Sequence, residues 1–280
     1  MKIDELVSLA LEEDMPQGDV TTDGLGIERK PGTAKLVAKE DLILSGSHFF
    51  ESAVLQCDPT AKIKWQFQDS DLVLNRQIVA VINGDLLQLL KAERTGLNFL
   101  GRFSGIASLT KCFVEALGES KTKILDTRKT HPLYRDFEKK AVVDGGGKNH
   151  RRDLSDGILI KENHIRAVGD FKTTIARIKE KSDLPIEVET TNLDEVKKAI
   201  EMGVQRIMLD NMSDDLMKEA LTLIPDSIET EASGNMSIER VRKIKNFGLN
   251  FVSVGSITHS APCADFSLLF DWNNGKGESV

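Results

Sequence analysis

A chain of 280 residues with 40% hydrophobic and 29% charged side chains can hold one large domain or two modest ones and bury a sizeable core, which excludes a disordered protein. Its net charge of −7 argues against a nucleic-acid or membrane-surface binder, and no apolar run approaches the ~18 residues that a membrane span needs. Cys57, Cys112 and Cys263 lie far apart without Cys-x-x-Cys or Cys/His spacing, so they read as buried or free thiols of a reducing, cytoplasmic setting with no structural zinc site.

Taken in order, residues 1–14 are acidic and amphipathic (Ile3, Leu6, Val7, Ala10, Leu11) and read as a docked surface helix, not a signal peptide. Met15-Pro16-Gln17-Gly18-Asp19 is a turn cluster. Two apolar stretches between Thr33 and Leu44 predict strand, and Ser47 to Leu55 predicts a helix. Ile63, Trp65 and Phe67 alternate as a half-buried strand does. Gln77 to Ile82 is a further predicted strand, stopped by Asn83-Gly84. From Asp85 to about Leu117 the pattern is helical but weakened by Gly96, Gly101 and Gly105, so two or three consecutive helices are expected.

Beyond this the rhythm changes. Short apolar runs recur at Lys123–Leu125, Gly157–Ile160, Ile186–Val188, Arg206–Leu209, Ile228–Thr230 and Phe251–Val254, with helical segments such as Thr173–Lys181, Leu193–Met202, Asp214–Leu223 and Ile238–Phe247 between them. Repeating βα units of this kind build either an open doubly wound sheet or a closed barrel. No Gly-x-Gly-x-x-Gly follows a strand, which removes the main support for a dinucleotide fold, and Gly145-Gly146-Gly147 follows a helical stretch instead.

Each predicted strand ends in polar residues. The ends are Asp126-Thr127-Arg128-Lys129, Lys161-Glu162-Asn163-His164, Glu189, Asp210-Asn211, Glu231-Ala232-Ser233-Gly234-Asn235 and Gly255-Ser256. In a parallel barrel such ends converge on one face, where an active site is built. Arg128, Lys129, His150, Arg151 and Lys161 together suit a substrate with more than one carboxylate. They belong to a cationic island, Lys121 to Arg152, with ten basic and four acidic residues, in a chain whose remainder carries −13. Such an island reads as a site for a small anion or as an uneven solvated face. Glu189 and Asp210 would hold Mg²⁺, steady a developing positive charge, or form internal salt bridges. Ser233-Gly234-Asn235 and Gly255-Ser256 expose backbone N–H groups after the last strands, where barrels commonly bind phosphate.

The stretch Ile124-Leu125-Asp126-Thr127-Arg128-Lys129-Thr130, followed by Glu138-Lys139, Gly145-Gly146-Gly147, Asn149-His150-Arg151 and Leu159-Ile160-Lys161-Glu162-Asn163-His164-Ile165, closely resembles the quinolinate phosphoribosyltransferase family, also called nicotinate-nucleotide pyrophosphorylase (carboxylating). The resemblance runs from Gly18-Asp19-Val20-Thr21-Thr22, through Ala92-Glu93-Arg94 and Ser104-Gly105-Ile106-Ala107, to Glu187-Val188-Glu189, Leu209-Asp210-Asn211, Glu231-Ala232-Ser233-Gly234 and Val254-Gly255-Ser256, and so covers nearly the whole chain.

What the resemblance implies is specific. The fold would be an N-terminal α/β sandwich over 1–108, joined by the tail 266–280, plus an incomplete α/β barrel over 109–265, as in type II phosphoribosyltransferases. Arg128, His150, Arg151 and Lys161 would hold the adjacent carboxylates of quinolinate. Arg94 would reach the site of the other subunit of a homodimer, and Lys129 would stand between the substrates. Glu189 and Asp210 would lie near the ribose of phosphoribosyl pyrophosphate and hold Mg²⁺, directly or through water; Lys129, Glu189 and Asp210 would be the catalytic set. Ser233, Gly234, Asn235, Gly255 and Ser256 would hold the 5-phosphate.

Two departures stand out. Where the family carries Thr-Pro-Gly after Arg-Lys-Thr, Thr130 is followed by His131-Pro132-Leu133-Tyr134, with His131 read as an exposed loop histidine; Asn235 replaces a second Gly, a mild change because Asn tolerates left-handed backbone. The competing readings are a homologue from molybdenum-transport clusters, a Schiff-base aldolase with Lys161 as nucleophile, and a non-catalytic binding protein on the same barrel.

Overall fold

A computed structural model describes residues 2–272. The described residues divide into two compact units: 2–109 with Val143–Gly146 and 261–272, and Thr110–Val142 with Gly147–Ser260. Of the tail assigned above to the first domain, 273–280 lies outside the described residues.

The first unit opens with α1 (Ile3–Asp14) and the short α2 (Val20–Gly24), capped by Asp19, which accepts from Thr21 and Thr22 N–H. It continues with β1 (Pro31–Ala38), β2 (Leu42–Ile43), α3 (Ser47–Cys57), β3 (Lys62–Trp65), β4 (Leu72–Val73) and β5 (Ile78–Asp85). Then comes α4 (Leu86–Leu117). The sheet has the order β12-β1-β5-β3, its edge strand β12 (Phe266–Asp271) coming from the far end of the chain and pairing antiparallel with β1. Leu36, Leu44, Phe50, Ile82, Leu86 and Leu100 are buried in its core.

Two local expectations fail here, both at glycines. The strand predicted to stop at Asn83-Gly84 runs on to Asp85, with Gly84 opposite Gly32 in β1. Gly84 is there for close approach: a Cβ on it would sit 2.7 Å from Asp58 Oδ2, the carboxylate oxygen that accepts the Asp85 N–H. The two or three helices expected after Asp85 are one helix of 32 residues. Its glycines are packing points, not breaks: a Cβ on Gly96 would meet Phe50 at 2.9 Å, on Gly101 the Ala264 carbonyl at 2.7 Å, and on Gly105 the Pro262 carbonyl at 1.9 Å. Gly105→Ala is therefore expected to destabilise the protein by about 3 kcal/mol, the upper range for overpacking, measured as the midpoint of urea unfolding. An unchanged midpoint would mean that this approach is not needed.

The second unit contains β6 (Lys123–Leu125), α5 (Arg135–Asp144, whose last residues belong to the first unit), β7 (Ile158–Ile160), α6 (Glu162–Val168) and α7 (Phe171–Lys179). It continues through β8 (Ile186–Thr190), α8 (Leu193–Glu201), β9 (Arg206–Asp210) and α9 (Asp214–Leu223) to β10 (Glu229–Ser233), α10 (Ile238–Ile244), β11 (Phe251–Ser253) and α11 (Ser256–His259). The six strands form one parallel sheet in the order β6-β11-β10-β9-β8-β7, an incomplete barrel. Strands with both faces covered read as apolar runs, and Ile124, Ile160, Val188, Ile207, Leu209 and Val252 are buried. Helices α7, α8, α9 and α10 each start on a side-chain cap: Asp170, Asn192, Ser213 and Ser237 accept a backbone N–H of the first turn. These caps fix where each chain segment leaves its loop, and so where the strand ends lie.

Strand β10 is displaced from its predicted position. It runs to Ser233, so Glu231 is not a strand end but a fully buried residue inside the strand.

Candidate active site

One cavity of about 860 Å³ opens at the C-terminal ends of the barrel strands. It is lined by Arg128 and Lys129 after β6, His150 and Arg151 before β7, Lys161 after β7, and Glu189 and Asp210 at the ends of β8 and β9. Ser233, Gly234 and Asn235 after β10 and Gly255 and Ser256 after β11 complete that set. Ten positions at six strand ends, with His150 and Arg151 from the segment before β7, thus meet in one place; Arg94 stands on α4 in the first unit.

Arg128 and Arg151 stand close enough for their charges to repel. Arg128 Nε is buried and, among the described residues, no acceptor reaches it. Arg151 is held below its ordinary pKa, first by burial and then by the neighbouring Arg128 charge, while its Nη1 donates to the Gly157 carbonyl at 2.7 Å. Two crowded guanidinium groups with donors to spare suit an anion with two acid groups. Lys129 is fixed at the backbone: its N–H donates to Thr127 Oγ1 at 3.1 Å and its carbonyl accepts from Thr258 Oγ1 at 2.8 Å. Its aliphatic stem crosses Gly255, where a Cβ would come within 3.1 Å of Lys129 Cδ.

Lys161 and Glu189 pair across the mouth, ammonium to carboxylate, with the lysine side chain 46% exposed and the glutamate 17%. The anionic and cationic halves of the site therefore neutralise one another at this point. Asp210 Oδ2 accepts from Asn211 Nδ2 at 2.8 Å. Asn211, Gly234 and Asn235 all adopt left-handed backbone, with φ of 52°, 94° and 45°, so the Asn at position 235 does take the conformation a Gly would adopt freely. Leu133, also left-handed at φ 67°, stands in the loop that departs from the family pattern. His131 in that loop is half exposed, and its Nδ1 lies 2.8 Å from Oε1 of the buried Glu138.

His150 differs from the other cations. Its imidazole is turned into the barrel, 8% exposed, with Nε2 3.1 Å from Glu187 Oε2 and 3.6 Å from Glu231 Oε1, while Nδ1 accepts the Arg151 N–H at 2.7 Å. Its backbone is pinned by Asp126, which accepts the His150 N–H at 2.8 Å and is itself paired with the buried Lys139 at 2.5 Å. Burial opposes charge on the ring, but Glu187 and Glu231 outweigh it and hold its pKa above the ordinary value.

Glu187, Glu231 and Arg206 were not among the predicted site residues. Side chains two apart on a strand share a face, so Glu187 lies one layer below Glu189, Met208 below Asp210, Glu231 below Ser233 and Ser253 below Gly255. The period-2 spacing beneath each strand end was the available signal. Atoms of His150, Glu187 and Glu231 that could ligate a metal lie within 4.8 Å of one another. Arg206 already supplies positive charge there, with Nη1 3.4 Å from Glu231 Oε2 and 3.9 Å from Glu187 Oε2.

Burial, with Glu187 nearby, pushes the Glu231 carboxyl up to about 8. A carboxyl raised above its unfolded value keeps a proton that the unfolded chain releases, so its contribution is full at low pH and is lost as pH rises towards 8. In Glu231→Gln, melting temperature should therefore gain on the parent progressively from pH 5 to pH 8. A constant gap across that range would remove this assignment.

The comparisons with known proteins agree with this architecture. The family model "Quinolinate phosphoribosyl transferase, N-terminal domain" matches residues 19–104, and that of the C-terminal domain matches residues 106–269. The chain is 38% identical over 288 residues to quinolinate phosphoribosyltransferase [decarboxylating] 2, mitochondrial, of Nicotiana glauca, covering 95% of this chain and 82% of that protein. Among solved structures it resembles NadC from Streptococcus pyogenes, with 40% identity, TM-score 0.90, and 95% and 96% of the two chains covered. It also resembles the nicotinate-nucleotide pyrophosphorylase from Francisella tularensis, with 37% identity, TM-score 0.92 and 96% of each chain covered. By sequence and by fold, the chain belongs to the quinolinate phosphoribosyltransferase family.

Proposed function

We infer that this chain transfers a phosphoribosyl group from phosphoribosyl pyrophosphate to quinolinate with loss of CO₂, giving nicotinate mononucleotide and pyrophosphate, a step of NAD biosynthesis. Family membership supports this reading, and the observation that carries it in the site is the buried Arg128 Nε, a donor without an acceptor, beside the Arg151 guanidinium.

Arg128, Arg151 and Lys161 grip the two adjacent carboxylates, with His150 behind them, and so aim the pyridine nitrogen at the ribose. The left-handed turn at Gly234 and Asn235 and the loop at Gly255-Ser256 take the 5-phosphate on backbone N–H groups. Glu189 and Asp210, hard oxygen donors at neighbouring strand ends, suit Mg²⁺, which when bound neutralises pyrophosphate as it departs. As the bond from ribose to pyrophosphate breaks, positive charge develops on the sugar, and the same carboxylates stabilise it in a site with little water. The pyridine nitrogen forms the new bond. The resulting positive ring nitrogen stabilises the electron pair that stays on the adjacent carbon when its carboxylate leaves as CO₂, and that carbon then takes up a proton. No enzyme nucleophile is required, and positioning supplies much of the rate. Lys161, engaged with the Glu189 side chain, is poorly placed for the Schiff-base alternative.

Incubation with quinolinate, phosphoribosyl pyrophosphate and Mg²⁺ should release CO₂ and nicotinate mononucleotide in equal amounts, and omission of either substrate should abolish both. Absence of product from the complete mixture would sink the reading.

The active form in this reading is a homodimer in which Arg94 completes the partner's site. Mixed dimers of Arg94→Ala and Lys161→Ala chains should then recover about a quarter to a half of the parental activity per dimer, because one of their two sites escapes both changes. No recovery in purified mixed dimers would count against a shared site. Residence in a reducing, cytoplasmic setting is consistent with Cys57, Cys112 and Cys263 being free thiols, and no helix among the described residues is long and apolar enough to cross a membrane.

A further inference from the structure

The cationic island of the sequence is split by the fold. Arg128, Lys129, His150 and Arg151 face the cavity at the C-terminal ends of the strands, whereas Lys121, Lys123 and Lys148 line a second cavity of about 530 Å³ at the opposite ends of β6 and β11, where Lys245 joins them. No acidic residue lines this second cavity. Among the described residues none of these four lysines is in an ion pair, although surface lysines elsewhere take carboxylate partners: Lys91 with Asp23, Lys172 with Glu201 and Lys198 with Asp194.

The groove is held together from below. Ser120 Oγ donates to the Lys245 carbonyl at 2.6 Å, and buried Thr122 donates through Oγ1 to the Leu249 carbonyl at 2.7 Å. The Lys123 N–H donates to the Asn250 carbonyl at 2.9 Å, and the Lys148 N–H to the Ile124 carbonyl at 2.8 Å. The backbones that carry the four lysines are thus tied to one another, and their charges cannot separate by moving the chain. Four unpaired like charges fixed around one concavity repel one another, in a protein with seven more acidic than basic residues available to neutralise them. The N-terminal end of a barrel is ordinarily the end that serves stability, and an uncompensated cationic groove does the reverse.

We propose that this groove is a second anion site, separate from the active site, that takes a small oligophosphate carrying two or more phosphoryl groups. Lysines bind phosphate as point charges and need no fixed orientation, which fits exposed ammonium groups arranged around an open groove. The size of the cavity is that of a small-molecule site. A long nucleic acid is disfavoured because the rest of the chain is strongly acidic and repels an extended polyanion.

The test is calorimetric titration of inorganic tripolyphosphate into the full-length enzyme and two double variants. Binding should persist in Arg128→Ala/Lys161→Ala, which removes two of the active-site cations, and should weaken at least tenfold in Lys123→Glu/Lys148→Glu. The latter variant should keep the parental melting temperature and turnover, since its changed residues are exposed. Raising salt from 25 to 200 mM should weaken binding about tenfold, as screening of exposed charges requires. If charge reversal impairs folding, Lys121→Ala/Lys245→Ala carries the same expectation. No measurable binding to the parent, or binding lost in Arg128→Ala/Lys161→Ala and kept in the groove variants, would overturn the proposal; the latter result would place the ion in the active site.

Discussion

Arg128→Ala should lower kcat/KM for quinolinate about a thousandfold, roughly 4 kcal/mol, the loss expected when one side of a buried, hydrogen-bonded charge pair is removed. The reason is local. Arg128 Nε is buried with no protein acceptor among the described residues, and Arg151 beside it is a like charge whose own pKa is depressed. Such a pair binds an anion strongly and does little for the ligand-free fold. The melting temperature of the variant should therefore hold or rise, while the KM for phosphoribosyl pyrophosphate should change less than threefold. Steady-state kinetics with each substrate varied in turn, together with thermal unfolding, makes the check. Equal losses for both substrates with a lowered melting temperature would identify Arg128 as a structural residue and leave the carboxylate grip without its main member.

Gly234→Ala should act on the other substrate. A Cβ at this position would lie 2.1 Å from Asn211 Oδ1 and 2.4 Å from its Cγ, and the residue sits at φ 94°, where an L side chain is strained by about 1–2 kcal/mol. Asn211 cannot move alone, because its Nδ2 donates to Asp210 Oδ2 at 2.8 Å. The substitution therefore disturbs the phosphate turn and one carboxylate of the acidic pair together. A fall of about a hundredfold in kcat/KM for phosphoribosyl pyrophosphate is expected, with quinolinate affinity, read by calorimetry without the second substrate, within about twofold of the parent. Full activity in Gly234→Ala would show that this turn does not hold the 5-phosphate.

Much of the barrel was legible along the chain because its signals are local. Apolar runs such as Ile124-Leu125 and Val252-Ser253-Val254 mark strands buried on both faces. The residues that end them, from Arg128 to Gly255, follow directly in sequence, so their gathering at one cavity depends only on the strands being parallel. Helix α9 matches its predicted bounds, Asp214–Leu223, because Ser213 supplies a cap where the apolar periodicity begins.

The errors share one physical origin. Gly84, Gly96, Gly101 and Gly105 carry a breaker signal in local propensity, yet each stands where a neighbouring atom needs the room a Cβ would fill. Such a neighbour (Asp58, Phe50, Ala264, Pro262) is distant in sequence, and no local window contains it. His150 depends on distant residues in the same way: it lines the cavity with the other cations, and the fold also brings its ring beside Glu187 and Glu231, from strands β8 and β10, which no local window contains.

Residue order by itself determined which barrel strands form, which polar groups terminate them, and that both cations and carboxylates stand at those ends. Only the tertiary structure decided that a charged layer lies beneath that rim, that Lys161 answers Glu189 across it, and that Lys121, Lys123 and Lys148 of the cationic island line the far end of the barrel. Strand identity is a property of successive residues, but the field at a side chain is set by whichever groups the sheet brings beside it, and those come from other strands.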